Sequence, residues 1–213
     1  MREPSPAGPM IVVSYLSLRR AVGILGITLP LILFAWGMLA RHVWLDTISD
    51  YYSLRARDAL VGCLCTIGCF LFTYHGYDEH DNLAAHAAGL CAVLVALIPS
   101  THPGIQLLLH FVFAGALFVL LAYISYFRFT RQGNEPTRAK LTRNRVYRSC
   151  AAAMIVCIAM IPVVGLTSLA TRLAPVRPIF LLETAALWAF GLSWLVKGGA
   201  LWRDPPTEGG AGA

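Results

Sequence analysis

The sequence predicts an all-α fold, an integral membrane bundle of about six transmembrane helices. Of its 213 residues, 57% are apolar and 13% are charged, which is far from the balance of soluble domains. Apolar runs follow one another through nearly the whole chain, and the basic residues lie between these runs, as membrane topology requires. The net charge of +6 therefore predicts contact with the lipid bilayer and no nucleic-acid partner.

Six apolar runs are long enough, or nearly so, to cross about 30 Å of hydrocarbon at about 1.5 Å per residue. The runs cover residues 21–40, 59–74, 83–99, 105–129, 150–170 and 178–201. Pro30 and Pro162 are expected to kink two of them, and Pro178 suits the first turn of the last. The predicted organisation is an N-terminal cytoplasmic segment (1–20), a six-helix transmembrane domain (21–201) and a disordered C-terminal tail (202–213). The first run predicts an uncleaved span rather than a signal peptide.

The distribution of basic residues between the loops predicts how the chain is oriented in the membrane. With the N-terminus inside the cell, most of the 17 Lys and Arg residues fall on the cytoplasmic side. The sequence thus predicts a multi-pass protein of the cell membrane with both termini in the cytoplasm. The basic segment 130–148 becomes the main inner loop, close to anionic lipid headgroups, although topology alone also explains its charge.

Ionisable residues well inside apolar runs are costly and are candidates for function, and Glu183 and His110 are the main ones here. Glu183 follows Pro178 by five residues, hence about 8 Å from the outer end of the last run. A lone carboxylate there is expected to be protonated or paired with a cation. His110 lies at a similar depth in the fourth run, with Gln106 one turn earlier on the same face.

The outer loop between the first two runs is rich in charged and aromatic residues and opens on the same side as Glu183 and His110. We predict that it covers an outward-facing, partly apolar cavity. The structural alternative is an interfacial belt, in which aromatic rings anchor at the headgroups, arginines pair with aspartates, and Glu183 bonds to His110. The candidate residues of this loop are Trp44, Asp50, Tyr51, Tyr52, Arg57 and Asp58, with Ser53 as a candidate cap of the second helix.

The inner loop at 74–86 contains His75, Asp78, His80 and His86. These residues are candidate metal ligands, but their spacing matches no helical zinc motif. Capping of the third helix by Asp81 or Asn82 is the alternative. The sequence thus predicts no metal centre and no cofactor, with metal binding at 75–86 left open.

The order of elements resembles small bacterial multipass membrane proteins of the broad DRAM/Frag-like type. The resemblance is carried by Ile48-Ser49-Asp50, by Arg57-Asp58 at the head of the second run, by Ala96-Leu-Ile-Pro99 and by His110. It covers roughly the first 130 residues and implies a six-helix bundle. Ceramidase-like hydrolases, which the chain resembles only faintly, need several histidines at one level, whereas His102 and His110 are the only nearby pair on the outer side.

Several functions fit these residues. One hypothesis is acid-initiated rearrangement of an isoprenoid, as in membrane-bound terpene cyclases, which the chain resembles in architecture only. This reaction would use Glu183 with Asp50 or Asp58. Trp44, Tyr51, Tyr52 and Trp188 would then face a developing carbocation. A lipid hydrolase or transferase is a second enzymatic hypothesis. The competing class is a non-catalytic protein that binds a lipid, another hydrophobic small molecule or a partner helix, and a transporter or channel is a further alternative.

Overall fold

A computed structural model describes residues 15–74, 79–101, 103–131 and 137–202. These residues form α-helices and short 3-10 or π turns, with no β-strand among them, which confirms the all-α prediction. The helices are α1 (Tyr15–Arg41), α2 (Arg57–Phe72), α3 (Glu79–Leu97), α4 (Ile105–Tyr123), α5 (Arg138–Gly165), α6 (Leu169–Arg172) and α7 (Pro178–Lys197). A 3-10 turn at Ser49–Ser53 lies in the first loop, and a π turn at Ile124–Arg128 extends α4.

The six long helices form a closed ring. Each packs against the next along the chain, with α5 packing against α7, and α7 in turn packs against α1. The first and last helices run antiparallel, because Arg20 near the start of α1 meets Gly198 after the end of α7, whereas Asp46 after α1 meets Phe180 at the start of α7. The ring therefore has an interior between helices that are far apart in sequence.

Glycines allow two helix pairs to approach very closely. A Cβ atom on Gly191 would lie 2.6 Å from the carbonyl oxygen of Gly23, and one on Gly23 would lie 2.7 Å from the carbonyl oxygen of Gly191. A Cβ atom on Gly68 of α2 would lie 2.9 Å from the carbonyl oxygen of Gly89 of α3, and one on Gly89 would lie 2.8 Å from the carbonyl oxygen of Gly68. Small residues are the usual means of close helix packing in membranes, since backbones and not side chains then form the contact.

Four of the described helical segments are long and apolar enough to cross a membrane: Leu16–Arg41, Ile105–Arg128, Arg138–Gly165 and Ala174–Lys197. Large apolar side chains also face outward, such as Leu108 and Val156, which are 58% and 60% exposed. Both observations support the prediction of a membrane protein, because lipid and not water tolerates such a surface. The α2 helix, at 16 residues, and the apolar helix Asn82–Leu97 are shorter, so six crossings are not confirmed.

The structure corrects the predicted start of the fifth helix. The basic segment that was predicted to be a loop is largely helical from Arg138 onward, so α5 contains 28 residues and spans about 42 Å. The side chain of Thr137 caps this helix by accepting a hydrogen bond from the backbone N–H of Lys140. The α1 helix likewise begins at Tyr15, inside the predicted N-terminal segment. The predicted C-terminal tail lies outside the described residues except for Trp202.

Candidate functional site

A cavity of about 80 Å³ lies inside the ring, near the end of α1 and the start of α7. Its walls come from α1, α2, α3, α4, α7 and the loop between α1 and α2. Most of its lining is aliphatic or aromatic, and its polar side chains include those of Glu183, His110, Ser49 and Tyr52. The apolar lining residues are Leu29, Ile48, Leu60, Leu64, Ile67, Val95, Ala114, Leu117, Phe118, Leu121, Leu187 and Phe190.

Glu183 connects α7 to the loop between α1 and α2. Its carboxyl oxygen Oε2 accepts a hydrogen bond of 2.5 Å from the backbone N–H of Ile48, a residue that is 6% exposed. A backbone N–H that is buried in this way needs an acceptor within the protein, because burial removes it from bulk water. The predicted proximity of this acid to the loop between α1 and α2 is therefore present in the structure, as a direct contact with the backbone.

His110 lies on α4, lines the same cavity and is 7% exposed. Its Nδ1 atom is 2.8 Å from the carbonyl oxygen of Ile98, which follows α3. A carbonyl can only accept, so Nδ1 carries the proton, and the Nε2 atom of the neutral imidazole is then an acceptor. Glu183 and His110 line one cavity but bond to the backbone on separate elements, and not to each other as the structural alternative expected.

Tyr52 and Ser49 bring the loop between α1 and α2 to the cavity. The guanidinium carbon of Arg57 lies 4.5 Å from the centre of the Tyr52 ring, which places a cation over an aromatic face. The hydroxyl of Ser49 is 3.1 Å from that of Thr47. Arg57 thus contacts a residue of the cavity wall but does not line the cavity itself.

The two aspartates predicted as a second acid do not line the cavity. Asp50 Oδ2 accepts from the backbone N–H of Thr47 at 3.0 Å, and the Thr47 hydroxyl accepts from the backbone N–H of Asp50 at 3.0 Å. Burial raises the pKa of the Asp50 carboxyl above its usual value, so a proton binds to it more tightly in the folded than in the unfolded chain. Asp58 is exposed in the first turn of α2.

The predicted aromatic residues divide into two groups. Trp44 and Tyr51 pack around Phe180, with ring centres 5.9 and 6.1 Å from it, and this cluster lies beside the cavity. Trp188 is 44% exposed on the outside of α7, and its indole N–H donates to the carbonyl of Ile27 at 3.2 Å.

Gln106 is also exposed and does not line the cavity, although it shares a helix with His110. The candidate cap of the second helix was wrong: the N-cap of α2 is Ala56, while the Ser53 hydroxyl donates to the carbonyl of Asp50. Asp46 pairs with Arg177, an arginine that precedes α7 and does not belong to the same loop.

The aliphatic wall was not predicted as part of the site. Leu60, Leu64 and Ile67 lie on one face of α2 and all line the cavity. Their spacing of four and three residues is the signal of a buried helix face and was readable in the sequence. Phe118 and Phe190 supply further aromatic lining, in place of the predicted tryptophans.

The candidate metal loop is described only in part. His75 and Asp78 lie outside the described residues. His86 stacks against Phe72 with ring centres 6.0 Å apart, and α3 begins at Glu79, so Asn82 lies within its first turns. Among the described residues, no group of three His, Cys, Asp or Glu side chains is placed to hold a metal ion.

Comparison with known proteins does not assign the chain to a family. No family model matches the chain, and neither the curated proteins nor the solved structures gave a significant match. The resemblance to DRAM/Frag-like proteins therefore stays a prediction.

Proposed function

We propose that this protein binds an apolar ligand with a polar end, of the lipid or isoprenoid class, in the cavity between Glu183 and His110. The observation that carries the proposal is that these two side chains, 73 positions apart on α4 and α7, line one otherwise apolar cavity. Ligand sites have this composition: an apolar wall that supplies affinity and a few polar groups that fix orientation.

The polar groups suit a hydroxyl, amine or carboxyl head. The free Nε2 atom of His110 accepts a hydrogen bond, and the hydroxyl of Tyr52 donates or accepts one. At about 80 Å³, the cavity is smaller than an engineered protein cavity of roughly 150 Å³ that binds benzene. It therefore accommodates one end of such a ligand and not a whole isoprenoid chain.

Binding is favoured over acid-initiated cyclisation by the positions of the acids. That reaction uses carboxyl groups from different helices around the substrate, whereas Asp50 bonds to Thr47 and Asp58 is exposed. Catalysis is the second candidate because Tyr52, Phe118 and Phe190 line the same cavity as Glu183, and aromatic faces stabilise cations.

Filling the cavity tests the binding proposal. Ala114→Leu adds three carbon atoms to the cavity wall, and Gly115→Leu adds bulk at the next position of α4, where a Cβ meets nothing within 4 Å. Mass spectrometry of lipids that co-purify in detergent is expected to show a loss of about tenfold or more for Ala114→Leu. Gly115→Leu is expected to retain the wild-type amount. Equal lipid content in both variants would refute the proposal.

We also propose that α2 and α3 cross the membrane, which makes six crossings with both termini in the cytoplasm. Their lengths of 16 and 19 residues correspond to about 24 and 28 Å, close to the hydrocarbon thickness. Their places in the ring, between α1 and α4, also support this proposal. The cavity then opens toward the exterior.

Cysteine labelling is expected to report this topology. Ser53 and Arg145 are exposed at opposite ends of the bundle, on the outer loop and on the polar start of α5. In intact cells, an impermeant maleimide should label Ser53→Cys, and it should label Arg145→Cys only after permeabilisation. The parent protein gives the background from its six natural cysteines. Labelling of Arg145→Cys in intact cells would contradict the orientation.

A further inference from the structure

In the cavity between Glu183 and His110, two backbone contacts determine which polar atoms are left for a ligand. Oε2 of Glu183 accepts the backbone N–H of Ile48, and Nδ1 of His110 donates to the carbonyl of Ile98. The other polar atom of each side chain, Oε1 of Glu183 and Nε2 of His110, has no hydrogen-bond partner among the described residues. These two atoms are therefore the ones that a ligand can bond to.

The two atoms have opposite hydrogen-bonding roles. In the part of the chain that the structure describes, no lysine or arginine lines this cavity or bonds to Glu183. A carboxylate without a cation is costly among apolar side chains, so the carboxyl group is expected to hold a proton. Oε2 accepts the N–H of Ile48, so this proton lies on Oε1, which makes Oε1 a donor. Because Nε2 of the neutral His110 is an acceptor, the cavity presents one donor and one acceptor.

Support of the backbone does not account for this pair. One neutral acceptor is enough for the N–H of Ile48, and an amide side chain would supply it without a titratable group. The bond to Ile98 likewise uses only one of the two ring nitrogens of His110. Polar atoms that remain unused in an apolar cavity cost free energy, and a ligand that bonds to both of them removes that cost.

We propose that the ligand of this cavity ends in a neutral hydroxyl group and is therefore an alcohol of the lipid or isoprenoid class. A hydroxyl oxygen accepts the proton of Glu183 Oε1, and the hydroxyl proton is donated to Nε2 of His110, so one small group serves both. The volume of about 80 Å³ suits a head group with a single polar atom. This inference rests on the proposed function and narrows its ligand class.

Charged head groups fit the cavity less well. A carboxylate has no proton for His110, and no described lysine or arginine lines the cavity to balance its charge. An ammonium group would lie beside Tyr52, whose ring already carries the guanidinium of Arg57 at 4.5 Å from its centre. The like charge of Arg57 opposes a second cation there. Desolvation of an ammonium group and of the Glu183 carboxylate further offsets their attraction.

Four compounds that share one alkyl chain test the head group: decanol, decyl fluoride, decylamine and decanoic acid. Each is titrated at neutral pH into the full-length protein in detergent, and the bound compound is counted by native mass spectrometry. Ala114→Leu, whose cavity is filled, gives the non-specific background. Decanol is expected to bind about tenfold more tightly than each of the others. Decyl fluoride has nearly the size of decanol but no proton for His110, and the other two bring a charge.

Substitutions then assign the two atoms. His110→Leu removes Nε2 and is expected to reduce the advantage of decanol over decyl fluoride from about tenfold to about twofold. Gln106→Leu removes an exposed polar side chain from the same helix and should leave this advantage at about tenfold. In Glu183→Gln the amide N–H donates where the carboxylic O–H did, so the preference for decanol over decylamine is expected to increase.

The outcomes separate this inference from the proposed function. The hydroxyl proposal is overturned if decyl fluoride, decylamine or decanoic acid binds to the wild type as tightly as decanol does. The proposed function survives that result as long as Ala114→Leu lowers the binding of the preferred compound. If Ala114→Leu binds all four compounds as the wild type does, both proposals fail. The comparison of head groups on the wild type does not depend on the folding of any variant with a changed polar residue.

Discussion

Replacement of Glu183 by leucine is expected to abolish ligand binding in the cavity between Glu183 and His110 and to destabilise the bundle by about 1–3 kcal/mol. The carboxyl group accepts the backbone N–H of Ile48, and leucine leaves this buried donor without an acceptor. The loop that carries Ile48 also supplies Ser49 and Tyr52 to the cavity wall. Loss of one hydrogen bond therefore removes one side of the cavity. Thermal unfolding in detergent and mass spectrometry of bound lipid measure the two effects.

The matched variant is Glu183→Gln. Its side-chain carbonyl still accepts from Ile48, so the loop stays in place and the melting temperature is expected to stay near that of the wild type. If the protein only binds its ligand, the glutamine variant retains that ligand, and if Glu183 is a catalytic acid, the ligand stays bound but its product disappears. A leucine variant with wild-type stability and wild-type lipid content would contradict the structural role of Glu183.

Replacement of Gly191 by leucine is expected to prevent the ring from closing, so that little monodisperse protein is recovered. A Cβ at this position would lie 2.6 Å from the carbonyl oxygen of Gly23 and 2.7 Å from a side-chain carbon of Ile27. A backbone carbonyl in a helix does not move aside, so α1 and α7 must separate. Even Gly191→Ala is expected to cost about 3 kcal/mol, which is the upper end of overpacking costs.

Gly62 of α2 is the control for this prediction. A Cβ there meets nothing within 4 Å, and leucine is the better helix former by roughly 1 kcal/mol. Gly62→Leu should therefore be recovered in normal yield, with an unchanged or slightly higher melting temperature. Size-exclusion chromatography and thermal unfolding in the same detergent check both variants. Recovery of monodisperse Gly191→Leu would show that the contact between α1 and α7 is not needed.

The long helices were predictable because an apolar run of membrane length has few alternatives to a helix. The start of α5 was not predictable in this way, because the prediction followed hydropathy and therefore began the helix at Cys150, after the polar residues. A helix continues through polar sequence once it projects from the apolar region, and Thr137 provides its cap. The number of membrane crossings was the hardest feature to predict, because the lengths of α2 and α3 are near the lower limit for a helix that spans a membrane.

That Glu183 and His110 lie at a similar level of the bundle was predictable, since position along a helix gives this level directly. Which of the acids face the cavity could not be predicted from the sequence. Asp50 faces Thr47 because of reciprocal hydrogen bonds between side chain and backbone within four residues, and such local turns are not visible in a charge pattern. Rotation about the axis of α7 placed Trp188 outside, while Phe190, two residues later, faces inward.

The contact between the first and last helices has a consequence for biosynthesis. α1 leaves the ribosome before α7, yet the surface that covers Gly23 and the carboxyl group that binds Ile48 belong to α7. Until translation has passed Gly191, the nascent chain exposes a glycine face to lipid and an unpaired N–H in the loop after α1. The ring therefore closes only when α7 docks against α1, and a chain that terminates before Gly191 would be recognisable to quality control by those two open surfaces.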